Sequence, residues 1–211
     1  MRLRRTDYEI VLADPPWAYN ARNNPDTRFG GGAGGHYPTM SVDEMSRIPV
    51  SDYCAPNSLL FMWVTFPRLR EGLWLMEQWG WEYVTVGFVW VKARSMPEPC
   101  PSLQAVFPPS PATPFFGVGF YTKSNVELCL LGRRGRALKP ATDSVSQLII
   151  APLTRHSEKP LDAQFRIEAM YPDAVKCELF ARREREGWDC YGIDIDPSMD
   201  LSGLEKVDDG I

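Results

Sequence analysis

The chain has 211 residues, 44% of them hydrophobic and 12% aromatic, with a formal net charge of −4. That length fits one domain with room for one long insertion, and the apolar share is ample for a core. The acidic balance argues against a strong non-specific nucleic-acid binder, whose affinity comes from neutralising phosphates, and leaves room for a local basic patch. The first predicted element is a short buried strand over Tyr8 to Ala13, with β-branched Ile10 and Val11. It stops at Asp14-Pro15-Pro16-Trp17: a carboxylate, two prolines that lock the backbone, then a flat aromatic. The two proline carbonyls are expected to face outward as acceptors. A carboxylate and a fixed carbonyl can accept both hydrogens of an amino group, and an aromatic wall can hold the planar ring that carries it. Strand ends are also where ligands bind in an open α/β sheet. Asp-Pro alone is commonly a strand-terminating turn; the four residues together favour a site.

Asp14-Pro15-Pro16-Trp17 resembles the DPPW signature of the MT-A70 family, adenine methyltransferases that modify the exocyclic amine. The resemblance implies S-adenosylmethionine as methyl donor and these four residues as the catalytic motif, with Asp14 also beside the cofactor.

After the motif, residues 18–36 are polar and then glycine-rich, with Gly30-Gly31-Gly32-Ala33-Gly34-Gly35. No Gly-Lys-Ser/Thr follows, so this is not a P-loop. It reads as a surface loop or, because it leaves directly from the motif, a lid over Asp14. Ser41 and Glu44 form a capping box that starts a short helix from Val42 to about Arg47. The preceding Tyr37-Pro38-Thr39-Met40-Ser41 is similar to a family segment whose tyrosine lies at the target-base pocket, which implies Tyr37. A second buried strand runs from Ser58 to Val64. A helix follows, with Pro67 near its start, Leu69, Leu73 and Met76 on one face, and Gly80 suited to its left-handed C-terminal cap. Tyr83 to Val91 is the third strand, and Trp90 near its end is a core residue or, by the matching family Trp-Val-Lys, a border of the site.

Residues 93–116 carry seven prolines and few periodic apolar residues. In a methyltransferase this position suits a target-recognition loop. Glu127-Leu128-Cys129-Leu130-Leu131-Gly132 is a strand; a strand glutamate is usually exposed, but by family position Glu127 borders the active site. Ser146 to Ala151 is a further strand. Pro160 opens a helix through Tyr171, with Leu161, Phe165 and Ala169 on one face. A cation beside a helix N-terminus opposes the macrodipole, so Lys159 needs another reason to be there. The family's Ser-x-Lys-Pro element supplies one, a lysine that contacts the cofactor region. His156 reads as a structural loop histidine. The last strand begins at Lys176 and leads to Arg182, and Glu178-Leu179-Phe180-Ala181-Arg182 with Trp188 and Gly192 resembles the family segments that hold the cofactor's ribose and carboxylate. That implies Arg182, Arg185, Ile193 and Asp194 as cofactor residues.

Strands and helices alternate, so the expected class is α/β. The resemblance spans Tyr8 to Asp194 in five separated segments. It implies a Rossmann-like methyltransferase fold: a mainly parallel twisted sheet, helices on both faces, and a permuted order with the catalytic motif ahead of the cofactor strand. One departure from the family is the short stretch before Asp14, where a further cofactor-contacting aspartate would lie. Residues 1–197 are expected to form the domain and 198–211 an acidic tail. Five widely spaced cysteines without a C-x-x-C pair, and only two histidines, disfavour a disulfide framework or structural zinc and fit a reducing cytoplasm. No apolar run is long enough to span a membrane. Arg133-Arg134-Gly135-Arg136 and Arg182-Arg183-Glu184-Arg185 are the candidate basic patches, and seven tryptophans exceed what a core of this size needs.

The function so implied is methyl transfer from S-adenosylmethionine to the adenine amino group in nucleic acid. DNA comes first, because no zinc finger or RRM signature for RNA is present. RNA remains an alternative, as does a non-catalytic partner subunit, although Asp14, Lys159 and Arg182 are all in place. Methylation of glutamine amides is disfavoured by Asp rather than Asn at position 14. The acidic net charge leaves room for a homodimer or partner subunit to complete the groove.

Overall fold

An apolar six-residue run, Tyr8–Ala13, forms strand β1, and every residue in it but Glu9 is buried. The computed structural model describes residues 5–18, 39–93, 115, 117, 121–153 and 158–195. The expected lid beyond Ala18, Tyr37, the recognition loop apart from residues 93 and 115, His156 and the acidic tail lie outside the described residues.

Helix α1 spans Val42–Ser46, and its capping box is present: Ser41 accepts from the Glu44 amide while the Glu44 carboxylate accepts from the Ser41 amide. Such a cap is worth about 1 kcal/mol. Strand β2, Cys54–Val64, is longer than its apolar run. A 3-10 turn over Phe66–Arg68, with Pro67 inside it, leads into α2, Leu69–Gln78. Gly80 ends that helix at φ +96°, a conformation a side chain would resist. Strand β3 (Glu82–Ala93), β4 (Val126–Arg134) and β5 (Leu148–Pro152) follow. Then come α3 (Asp162–Met170), β6 (Lys176–Leu179) and β7 (Asp189–Tyr191).

The α3 periodicity is offset from the expected one. Ala163, Gln164 and Ile167 are its buried residues, while Phe165 is 56% exposed. Phe165 instead faces the Arg185 guanidinium, which stands 4.4 Å from the ring centroid. The small Ala163 lets the helix approach the sheet, and that closeness outweighs the greater hydrophobicity of phenylalanine.

The seven strands form one sheet in the order β5-β3-β4-β2-β1-β6-β7. It is mixed. Strand β4 runs antiparallel to both β2 and β3, and the other four pairings are parallel. From β1 the chain winds outward through β2, β3, β4 and β5, then returns over α3 to place β6 and β7 on the other side. One face carries α1 and α2, whose Met45, Leu75 and Met76 pack with Val11, Ala13 and Leu60. The other carries α3, whose Ala163 and Ile167 pack with Ile10, Leu12, Trp63 and Trp90. Six of the seven tryptophans are buried in these two cores, so the apparent surplus is structural; Trp74, at 39%, is the exposed one. No described helix is long and apolar enough to cross a membrane.

Candidate active site

Side chains alternate between faces along a strand, so Ile10, Leu12 and Asp14 follow one another on the α3 side of the sheet. The same alternation places Phe88, Trp90 and Lys92 of β3, and Glu127 and Cys129 of β4, on that side. Because β4 is antiparallel, its first residues reach the edge where the parallel strands end: Glu127 pairs with Trp90, and Leu128 with Val64. Asp14, Lys92 and Glu127 therefore meet at one edge of the sheet. Lys159, just ahead of α3, reaches over the top of it.

These side chains form a chain of alternating charge. Lys159 Nζ lies 2.7 Å and 2.8 Å from the two oxygens of Asp14 and 3.4 Å from Glu127 Oε2. Lys92 Nζ lies 2.5 Å from Glu127 Oε1 and 5.2 Å from the Trp90 ring centroid. The macrodipole penalty at Lys159 is thus offset by two carboxylates. Burial raises the Asp14 carboxyl above its ordinary value, an effect that Lys159 opposes without cancelling and Glu127 adds to. Burial pushes Glu127 the same way, but Lys159 and Lys92 outweigh it and its carboxyl falls below the usual range. Burial would lower Lys159, yet Asp14 and Glu127 reverse this and raise it, so the ammonium keeps its proton.

Both proline carbonyls act as acceptors, and both take backbone donors of the chain itself. The Pro15 carbonyl accepts the Trp17 amide at 2.8 Å, and the Pro16 carbonyl accepts the Met40 amide at 2.9 Å. Two successive residues without a donor leave their carbonyls to tie down the chain that follows. A carbonyl has two lone pairs, so Pro15 retains one. Trp17 is 6% exposed, and its Nε1 donates to the Trp63 carbonyl at 3.3 Å. Trp90 is 1% exposed, donates to the Ala151 carbonyl at 3.0 Å and meets Trp63 edge-to-face. Both indoles buttress the Asp14 end from within the core.

Beside Asp14, between the ends of β1 and β6, lies a small cleft that opens to solvent. This is where the strand order switches sides, the usual ligand position in an open α/β sheet. Asp14, Lys159, Glu178, Phe180, Arg182 and Arg183 line it. Phe180 turns there at φ +60°, a left-handed conformation that costs a non-glycine residue roughly 1–2 kcal/mol. Strain held at a strand end beside a cleft is common at functional sites. Next to it, a Cβ on Gly192 would collide with the Ala181 carbonyl, so only glycine lets β7 close against the end of β6.

Sequence reasoning did not single out Glu178, Gln164 or Lys92. Glu178 lies on β6 beside Leu12, and the Gln164 side-chain amide donates to it. Burial lifts its carboxyl to about 7. The signal was present in all three: a lone acid in a four-residue strand, a polar residue on a helix core face, and a lysine two residues past Trp90.

The predicted cofactor residues divide. Arg182 lines the cleft and pairs with Asp194 at 3.7 Å. Ile193 is 44% exposed beside them in the chain. Arg185 instead makes a two-pronged pair with Glu168, at 2.6 and 2.8 Å, and a third bond joins Trp188 Nε1 to the same carboxylate. Of the two basic runs, Arg182-Arg183 lies at the cleft. Arg133-Arg134 ends β4 at the opposite edge of the sheet, where Arg134 donates to the Ser51 carbonyl and Arg133 pairs with Glu82.

The family model described as MT-A70 matches residues 8–194 of this chain. Type II methyltransferase M.MunI from Mycoplasma sp is 31% identical, over 99% of this chain and 87% of its own length. Human N(6)-adenine-specific methyltransferase METTL4 is 28% identical, over 90% of this chain and 38% of its own. The human N(6)-adenosine-methyltransferase catalytic subunit METTL3 is 26% identical, over 97% of this chain and 32% of its own.

Proposed function

This chain belongs to the MT-A70 family, and from that membership we propose that it transfers a methyl group from S-adenosylmethionine to the exocyclic amino group of adenine, in DNA before RNA. The observation that carries the reading is the buried Asp14–Lys159–Glu127 network, which opens onto a mixed-charge cleft inside the matched range. DNA is placed first because M.MunI, the type II relative, is matched over 87% of its length, whereas METTL4 and METTL3 are matched over 38% and 32% of theirs.

The donor set suits S-adenosylmethionine. Its ribose hydroxyls, amine and sulfonium call for carboxylates, and its own carboxylate calls for a guanidinium. The cleft is lined by Glu178 and Asp14 and by Arg182. Arg182, Lys159, Asp194 and Ile193 are the proposed holding residues. When bound, the cofactor supplies an electrophilic methyl group on a positively charged sulfur. In this reading the β1 motif precedes the β6–β7 cofactor segment, which is the permuted order, and the chain works in the cytoplasm.

The residues then act by position. An adenine taken out of its stack presents its amino group to the Asp14 carboxylate and to the remaining lone pair of Pro15. Asp14 orients the nitrogen lone pair and favours the positive charge that develops on nitrogen as it alkylates. Lys159 favours the ionised carboxylate and fixes its orientation, and Glu127 with Lys92 keeps Lys159 aimed. Tyr37 is the proposed wall for the base, with Trp17 and Trp90 stiffening the floor. Most of the rate then comes from placing nitrogen in line with the methyl group.

The test is methyl transfer from labelled S-adenosylmethionine to matched DNA and RNA oligonucleotides, single- and double-stranded, with Asp14→Ala as control. Signal on DNA that disappears in the variant is the expected result. Full activity in Asp14→Ala would overturn the assignment.

A further inference from the structure

The cleft beside Asp14 is all but closed. The space within it is about 20 Å³, room for a water molecule and far less than S-adenosylmethionine needs. Two walls face each other across it. One is the segment 158–160 ahead of α3; the other is the end of β6 with Phe180, Arg182 and Arg183. The cofactor can lie between these walls only once they part.

The β6 wall is anchored. The Ala181 amide donates to the Tyr191 carbonyl, which ties this wall to β7. On the other side α3 is packed into the core through Ala163 and Ile167 and bonded to β6 through Gln164 and Glu178, so the movable part is the segment ahead of the helix. Its side chains hold it across the cleft. Glu158 Oε1 lies 3.1 Å from Arg183 Nη1, and the next residue, Lys159, grips Asp14. The two links differ in depth. The Arg183 side chain is 41% exposed against 13% for Lys159, so the Glu158–Arg183 pair stands at the rim, where water takes over its partners at little cost.

We infer that the Glu158–Arg183 ion pair is the latch of this cleft: it breaks for S-adenosylmethionine to enter or leave, and it closes again over the bound cofactor. The inference rests on the proposed function. Glu158 and Lys159 are neighbours in the chain, so the swing that opens the rim also pulls on the grip that Lys159 has on Asp14, and closure restores it. The carboxylate is thus fully set only when the cleft is shut, which couples cofactor capture to readiness for the amine.

The experiment uses the full chain with Glu158→Gln, Arg183→Gln and the double variant. Binding and release of S-adenosylmethionine are followed by stopped-flow tryptophan fluorescence, to which Trp63 in the cleft wall contributes. An ion pair at a rim opposes opening by about fivefold, so each single variant should raise both the association and the dissociation rate about fivefold and keep Kd within about twofold. The double variant should be no faster than either single, because one bond breaks only once. Unchanged rates in all three variants, with the wild type binding S-adenosylmethionine, would overturn the latch and leave the proposed function standing. A faster dissociation with an unchanged association rate would make the pair a direct hold on the cofactor and overturn the latch. Strictly additive effects of the two substitutions would overturn it as well. A wild-type chain that does not bind S-adenosylmethionine would overturn both the latch and the proposed function.

Discussion

Lys159 holds both oxygens of Asp14 at once, at 2.7 and 2.8 Å, across 145 residues of sequence. The pair joins the end of β1 to the head of α3 over the point where the strand order changes sides. A carboxylate gripped this way has one orientation, and each gripped oxygen keeps a lone pair for an amino hydrogen.

That grip has a pH consequence. Burial raises the Asp14 carboxyl, so its ionised form is lost at a higher pH than an ordinary aspartate's. If ionised Asp14 orients the amine, kcat/KM falls on the acid side as pH drops through this raised value. Asp14→Asn should lower kcat by about a thousandfold and flatten the acid limb, read from pH–rate profiles at saturating cofactor. A limb unchanged in the variant would assign it to another group.

Removing Lys159 leaves two buried carboxylates, Glu127 facing Lys92 and Asp14 with only the more remote field of Arg182 against it. Lys159→Met should cost about 3–5 kcal/mol by denaturant unfolding. The double variant Asp14→Asn/Lys159→Met should recover part of that loss, because the unpaired charge is gone. Strict additivity of the two single effects would show that they do not interact in solution.

Glu178 makes the opposite prediction to a salt-bridged acid. Its carboxyl sits at about 7 in the fold and near 4.5 unfolded, so the folded state binds the extra proton between those values. Stability is therefore unpenalised below about pH 4.5 and falls as pH rises through 7. Glu178→Gln should narrow this fall, so its melting temperature gains on the wild type from pH 5 to pH 8. A constant difference across that range would place the Glu178 pKa at its ordinary value.

Arg182 and Arg185 are three residues apart and should separate cleanly. Arg185 spends its guanidinium on Glu168 and on the face of Phe165. Arg185→Met should lower the melting temperature by several degrees and leave the dissociation constant for S-adenosylmethionine within about twofold. Arg182→Met should weaken that binding at least tenfold, measured by calorimetry.

The residues that could be read in advance are those whose chemistry is local. The run Tyr8 to Ala13 and its abrupt stop at Asp14, the Ser41–Glu44 cap and the glycine after Trp79 each carry their signal within a few positions. Glu127 was placed at the site only by family likeness, because alternation along β4 cannot say which way the strand runs. Direction is set by partners remote in the chain, and the reversal of β4 is what brings its first residues to the edge. The face of α3 was misjudged because Phe165 is the more apolar residue, while close packing favoured Ala163. Glu178 and Gln164 each carry a local sign, but only the fold shows that the two side chains meet at the cleft.

The reversal of β4 also decides where the protein can vary. Strand β3 ends and β4 begins at the same edge, and the Lys92 backbone is bonded both to Phe115 and to Asn125. Chain added between them enters and leaves at the sheet edge that carries Lys92 and Glu127, and each doubling of its length costs only about 0.6 kcal/mol of closure entropy. The sheet register and the Asp14 network are untouched by such changes. An insertion at this edge therefore changes what stands beside Lys92 and Glu127 without disturbing the strands that carry them.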